Sequence, residues 1–456
     1  MTNSVASSKL NSIGTASIPR LLLAFSVPAI VSMIVESLYN IVDRYFVAAG
    51  VGYLGIAGIT LCFPISIFIM ALSMIVGVGG NTLFAIRLGE KKYGQASLIL
   101  NNSFALLIIM ALISFVLGEI FMEPLLRSFG ASDETLPYAE SYMRIILLGA
   151  VFQTVTPGMN HFIRSLGHPK TAMFRNMIGA GLNTFFDWLF IMKFHWGIEG
   201  AAWATILSQC ITTIFVMQFF FKKSTPIRIS LSEMRPRLPY VRRIYIMGLP
   251  PSVMQICNSL MNVILNRSLV HYGNASSYGG DLTVSAFGII NSISMLLIMP
   301  VMGFIQGGQP IIGYNYGAKS YGRVKKTLKL LLFFGVGFMM ISWLIVQFRA
   351  EWLVGFFTAD NAQLTELSAR SMRAFLFAIP MIAVGMVCGN FFQGTGKPGR
   401  AMFLNMCRQL IVLIPCLLVL PLFLGLQGVF YAGPLSDTVS ALISVIFLKF
   451  ELRKMR

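Results

Sequence analysis

The stretch FSVPAIVSMIVESLYNIV (25–42) is echoed by MGLPPSVMQICNSLMNVI (247–264), with Pro28 over Pro250 and SLYN (37–40) over SLMN (259–262). Three further pairs follow in the same order. GGNTLFAIRLGEKKYG (79–94) pairs with GGQPIIGYNYGAKSYG (307–322), IRSLGHPKTAMFRNM (163–177) with FQGTGKPGRAMFLNM (392–406), and GIEGAAWATILS (197–208) with GLQGVFYAGPLS (425–436). Four ordered matches in one chain mark a structural unit written twice.

Composition says what kind of unit it is. The 456 residues are 56% hydrophobic and 11% charged, with a mean hydropathy of +0.75. A soluble protein of this length needs more charge to cover its surface. Apolar segments long enough to cross a bilayer recur throughout. We place twelve spans near 21–48, 54–80, 97–121, 138–162, 171–192, 198–221, 243–271, 281–308, 324–346, 370–393, 401–424 and 428–449. The expected fold is an all-α polytopic membrane protein with twelve transmembrane helices in two six-helix lobes. An even number of spans per copy returns the chain to its starting side, so the pseudo-twofold axis lies along the membrane normal. The expected organisation is an N-terminal tail (1–20), an N-lobe (21–221), a polar connector (222–242), and a C-lobe with a short tail (243–456). The first span reads as an uncleaved anchor, because no short apolar core with a small-residue cleavage site precedes it.

The net charge of +18 does not point to nucleic acid. Most Lys and Arg fall in tails and loops that share one side, including Arg87, Lys91, Lys92, Lys319, Arg323, Lys325, Lys326 and Lys329. This is the positive-inside bias, and it predicts a multi-pass cell-membrane protein with both termini cytoplasmic and basic loops over anionic lipid heads. The six cysteines have no paired spacing and read as buried small hydrophobes. The four histidines are scattered near span ends and suggest no ligand set.

Against this apolar background, ESLYNIVDRYFV (36–47) puts Glu36 and Asp43 two helical turns apart, with Asn40 on the same side. LNTFFDWLF places Asn183 and Asp187 at i and i+4 on one face. Counted from the outer span ends at about 1.5 Å per residue, Asp43, Asp187 and Thr205 sit at a common depth of roughly 10–14 Å. The repeat acts as an internal control. Asp43 aligns with Leu265, Asn183 with Val412, Asp187 with Cys416 and Thr205 with Gly433, so the unit builds without these polar groups. Carboxylates at bilayer depth cost about 2.5–3.5 kcal/mol each on insertion scales and face an interior or a wet cavity. Two close together hold a proton or share a cation, and carboxylate, amide and hydroxyl oxygens suit a hard cation such as Na⁺. The competing structural reading pairs Asp43 with Arg44 or Arg267, and treats Asn183 and Thr205 as interhelical glue. Pro28 kinks the first span, or hinges it.

The segments SLYNIVDRYFVA, GVGGNTLFAIRLGEKK, FGASDETLPYAESYMRIILLGAVFQ and QPIIGYNYGAKSYGRVKK resemble the multidrug and toxic compound extrusion (MATE) transporters, in particular their MepA-like and DinF-like members, over essentially the whole chain. The resemblance implies antiport of bulky, often cationic drugs against Na⁺ or H⁺, with no cofactor beyond the coupling ion. It carries the cation site over to Asp43, Asn183, Asp187 and Thr205, and the first-span bend to Pro28. NorM-like relatives use acids in spans seven and ten. Here the seventh-span position is Asn258 and the tenth span has no acid. The extra acid Glu36 departs from the uncharged polar residue the resemblance implies there, and would favour cationic substrates or shift the coupling stoichiometry. Glu36, Tyr39, Asn40 and Asn258 are the substrate-cavity candidates. The expected partners are drug-like small molecules and lipids, with no nucleic acid, and the expected state is a monomer.

The reading is therefore a cation-coupled exporter working by alternating access, with substrate in a cleft between lobes. A related alternative is a flippase for lipids or lipid-linked precursors, which would want a cationic cleft for phosphate. An intramembrane enzyme would need a constellation such as HExxH, GxSxG or paired His and Asp within spans, and none is present. A passive channel fits a two-lobed repeat poorly.

Overall fold

The computed structural model describes residues 12–51, 53–222, 225–358 and 361–455. The start of the expected N-terminal tail, residues 1–11, and positions 223–224 of the connector lie outside them. Every regular element among the described residues is helical. The helices are α1 (Ile18–Val51), α2 (Tyr53–Gly89), α3 (Tyr93–Ser128), α4 (Leu136–Leu148), α5 (Ala150–Ser165), α6 (Pro169–Asp187), α7 (Gly197–Phe221), α8 (Leu238–Asn274), α9 (Gly280–Gly317), α10 (Tyr321–Gly355), α11 (Ala362–Phe375), α12 (Ile379–Gly394), α13 (Pro398–Met406), α14 (Ile414–Leu424) and α15 (Leu426–Lys454). Two π turns, Trp188–Lys193 and Cys407–Leu413, continue α6 and join α13 to α14.

These elements form twelve rods that coincide with the twelve expected spans. Seven are long and apolar enough by themselves to cross a membrane, and α11 with α12, bent by 48°, makes an eighth. The other four (α4–α5, α6 with its π turn, α8 and α15) are more polar. They carry charges such as Arg144, Arg164, Arg267, Asp437 and Lys449. Several rods outrun their apolar windows: α2 continues to Gly89 and α8 begins at Leu238, inside the expected connector. Backbone hydrogen bonds continue a helix beyond the stretch that burial in lipid demands.

The chain divides into two compact units. One comprises Met1–Ser252 with Gly313–Lys319, and the other Val253–Ile312 with Ser320–Arg456. In the first, α3 and α4 pack together, α5 packs on α3 and α7, α4 on α7, and α6 on α1, α5 and α7. In the second, α10 pairs with α11, α12 packs on α10, α13 and α15, and α11 and α14 on α15. Apart from the packing of α6 on α1, these pairings recur with the repeat-equivalent helices.

The backbone repeats as well. The tight turns after α5 and α12 use left-handed glycines, Gly167 (φ 84°) and Gly396 (φ 73°), each followed within two residues by the proline that opens the next helix. Lys91 (φ 58°) and Lys319 (φ 56°) repeat the same strained conformation after α2 and α9. Pro28 is buried inside an unbroken α1, where Ser32 Oγ donates to its carbonyl at 2.9 Å.

Candidate functional site

The first unit brings together three of the helices singled out above. α1 packs along α6, and α7 packs on both. α6 ends at Asp187, where the helix passes into the π turn Trp188–Lys193. A π turn widens the helix and re-aims side chains, and such turns frequently mark functional sites. Phe186, Phe190 and Trp196 stack over this turn, with the Phe190 and Trp196 rings 4.8 Å apart. A small apolar cluster of Val47, Ile191 and Ala201 fixes the ends of α1 and α7 against it.

Asp187 is fully buried, and Asn183, one turn earlier on the same face, is 3% exposed. Neither amide atom of Asn183 has a hydrogen-bond partner among the described residues, and the oxygens of Asp187 have none except through a proton shared with Asp43. Buried polar groups are almost always satisfied, so four such atoms in two successive turns call for a ligand, water or ion. The neighbour of Asp187 is another acceptor: the half-buried Asp43 lies close enough for direct electrostatic interaction. Tyr39 on α1 and Tyr142 on α4 lie within electrostatic reach of both acids. Thr205 is half-buried on α7, and Ser208 Oγ donates to its carbonyl at 2.8 Å.

Asp43, Asp187 and Asn183 therefore offer acidic and amide oxygens in one buried spot, which is the donor chemistry of a hard monovalent ion or of a shared proton. Among the described residues no group of three or more His, Cys, Asp and Glu has the arrangement of a metal centre.

The remaining candidates fall elsewhere. Glu36 is exposed on α1 and lies within electrostatic reach of Arg164, a buried residue of α5 whose Nη1 has no hydrogen-bond partner among the described residues. The side chain of Asn40 lies outside the described residues. Asn258 belongs to the second unit, where its Oδ1 accepts from Gln409 Nε2 at 2.5 Å.

A family model, MatE, matches this chain twice, over residues 28–189 and 250–418. The chain belongs to the MatE family. Each match opens on one of the two repeat prolines, Pro28 and Pro250, so the family unit is the unit that the sequence writes twice. The chain is similar to "Multidrug export protein MepA" of Staphylococcus saprophyticus, 26% identical over 431 residues, covering 94% of this chain and 92% of that protein. It is 25% identical over 428 residues to the Staphylococcus aureus protein of the same name, with the same coverage. A solved structure described as the outward-facing conformation of a multidrug resistance MATE family transporter of the MOP superfamily superposes with a TM-score of 0.90 at 25% identity, covering 98% of each chain. The family and fold expected from the resemblance are thus established, and the MatE assignment makes the chain a membrane transporter.

Three features of this MatE chain were not singled out in the sequence. Tyr142 joins the two acids from α4, and nothing in the local pattern PYAESYMR marks it apart from Tyr138. In the second unit Arg408 Nε meets Asp437 Oδ1 at 2.6 Å, and Asp437 is buried. Glu451, also buried, is paired with Lys397 and Arg400. The lone acid Asp437 in an apolar stretch was the one available signal, while Glu451 lies in the basic run KFELRKMR, and in both cases the partner lies 29 or more residues away in the chain.

Proposed function

We propose that this MatE transporter exports bulky, cationic drug-like compounds by antiport against Na⁺ or H⁺, cycling by alternating access in the cell membrane with both termini cytoplasmic. The single observation that carries the coupling is the buried meeting of Asp43 with Asp187. Two carboxylates side by side in a low-dielectric setting cannot both keep a negative charge without a counter-cation. Loading one Na⁺ or one proton removes a unit of charge there and biases any two-state element built on α1 and α6. Asn183 completes the coordination from the same helical face, and Thr205 adds a hydroxyl from α7. Pro28 gives α1 a point at which to bend when the charge changes.

The export of drugs is supported by the MepA relatives, whose name states that activity for them. A preference for cations is supported by Glu36, an exposed acid one turn before Asn40. No cofactor other than the coupling ion is required, and the chain acts as a monomer on small-molecule substrates and lipid surroundings.

The decisive experiment uses purified protein in proteoliposomes loaded with a fluorescent lipophilic cation. A Na⁺ gradient and a pH gradient are imposed separately. Flux driven by one gradient and abolished by its dissipation is expected. Flux indifferent to both gradients would overturn coupling, and translocation of labelled phospholipid without cation flux would replace export by lipid flipping.

A further inference from the structure

Three acids are buried among the described residues, Asp187 in the first unit and Asp437 and Glu451 in the second. Their partners differ in kind. Asp437 on α15 holds the guanidinium of Arg408, whose Nε stands 2.6 Å from Oδ1. Ser436 Oγ, on the residue before this acid, donates to the Arg408 carbonyl at 2.7 Å, so the arginine is fixed by its backbone as well. Glu451, near the end of the same helix, holds Lys397 and Arg400. No lysine or arginine among the described residues hydrogen-bonds to Asp187.

The duplication locates this difference. Arg408 aligns with Gly179, and Asp437 with Gln209. Arg408 lies four residues before Val412, the counterpart of Asn183, and Asp437 lies four residues after Gly433, the counterpart of Thr205. The ion pair thus sits one helical turn from the second copy's version of the cation site, on the helices that correspond to α6 and α7. The first unit has no such pair at these positions. Gln209 is uncharged, and a Cβ on Gly179 would stand 2.8 Å from Thr212 Oγ1, so a side chain there displaces Thr212. The second unit in turn has Leu265 and Cys416 where the first has Asp43 and Asp187.

A buried acid whose counter-charge is carried by its own chain has no need of a dissolved cation, and removing that partner strands a bare carboxylate. We propose that Arg408 is a tethered counter-cation of the second unit, and that the chain carries one exchangeable monovalent cation, shared by Asp43 and Asp187. The proposal rests on the coupling reading above and fixes its ion count. Export of a monovalent cationic substrate against one monovalent ion then moves no net charge across the membrane.

The test uses the full chain in proteoliposomes with a monovalent fluorescent cation as substrate. Flux against coupling-ion concentration is expected to follow a Hill coefficient of about 1. R408M/D437L, which removes the acid and its tethered cation together, should keep that coefficient and hold flux within about twofold of wild type. A membrane potential imposed with K⁺ and valinomycin at a fixed ion gradient should change the flux by less than about twofold, because the exchange is electroneutral. A wild-type coefficient of about 2 that falls to about 1 in R408M/D437L would overturn the proposal. So would a flux that the imposed potential accelerates several-fold. Na⁺ binding and proton uptake by the purified protein supply a count independent of transport. D43N/D187N is expected to lose about one equivalent per chain and R408M/D437L none. An equivalent lost from R408M/D437L would refute the tethered-cation role even where that variant no longer transports. Absence of flux in the unmodified protein would count against export instead and leave this count to decide the proposal.

Discussion

Asp187 at the end of α6 faces Asp43 on α1, and no nitrogen or hydroxyl donor among the described residues reaches either Asp187 oxygen. Such a pair is unfavourable as two bare anions and becomes favourable once a cation or proton is shared. It is therefore better suited to loading and unloading than to holding helices together. The competing structural reading pairs Asp43 with Arg44 or Arg267, and the side chain of Arg44 lies outside the described residues.

Neutralising either acid should uncouple the transporter without unfolding it. D43N and D187N are each expected to lower gradient-driven flux at least about tenfold, or ~1.4 kcal/mol and more. The double variant should be little worse than either single one, because the two groups act as a unit. Flux in proteoliposomes and the melting temperature in detergent check this. Strictly additive losses would argue that the acids act separately.

Asn183 contributes an uncharged oxygen, so its removal should cost less. For N183A the concentration of coupling cation giving half-maximal flux is expected to rise about 5–20-fold, as for loss of one hydrogen-bond-scale contact of about 1–2 kcal/mol. The maximal rate should be largely kept. An unchanged half-saturation would remove Asn183 from the site.

The ion pair in the second unit should behave as a stability element. R408M leaves Asp437 buried and unpaired and should destabilise the fold by about 3–5 kcal/mol, whereas R408M/D437L should recover much of that loss. Unfolding monitored in mixed micelles separates the two outcomes, and a double variant as unstable as the single would refute the pairing argument.

Glycine is required where backbones cross. G248A drives a methyl group into the Ile75 carbonyl and should cost about 1–3 kcal/mol, while G94A, whose Cβ would meet nothing within 4 Å, should stay within about 0.5 kcal/mol of wild type. Thermal stability of the two purified variants is the measure.

At the turn after α2, partial burial works against the charge of Glu90, but hydrogen bonds from Lys92 and Arg87 hold its carboxyl below the usual carboxylate range. Its contribution, under about 1 kcal/mol for so exposed a cluster, is fully present above the unfolded-state value and fades as pH falls through the lower folded-state value. Melting temperatures of wild type and E90Q should differ slightly at neutral pH and converge on acidification. A gap that widens in acid would reverse the sign.

The sequence by itself determined the membrane class, the duplication and the identity of the first-unit acids. Span-length apolar runs, repeated turn residues and a carboxylate where its repeat partner is apolar are one-dimensional signals, because lipid burial and helix periodicity act along the chain. The i, i+4 pair Asn183 and Asp187 was legible for the same reason. Tyr142 beside the acids, Arg408 against Asp437, Lys397 and Arg400 on Glu451, and the hydrogen bonds from Ser230 N to Asn101 and from Arg237 N to Asn102 were decided only by tertiary structure. Each joins residues far apart in sequence, and the energy that makes the contact comes from removing both partners from solvent together, which no local pattern records.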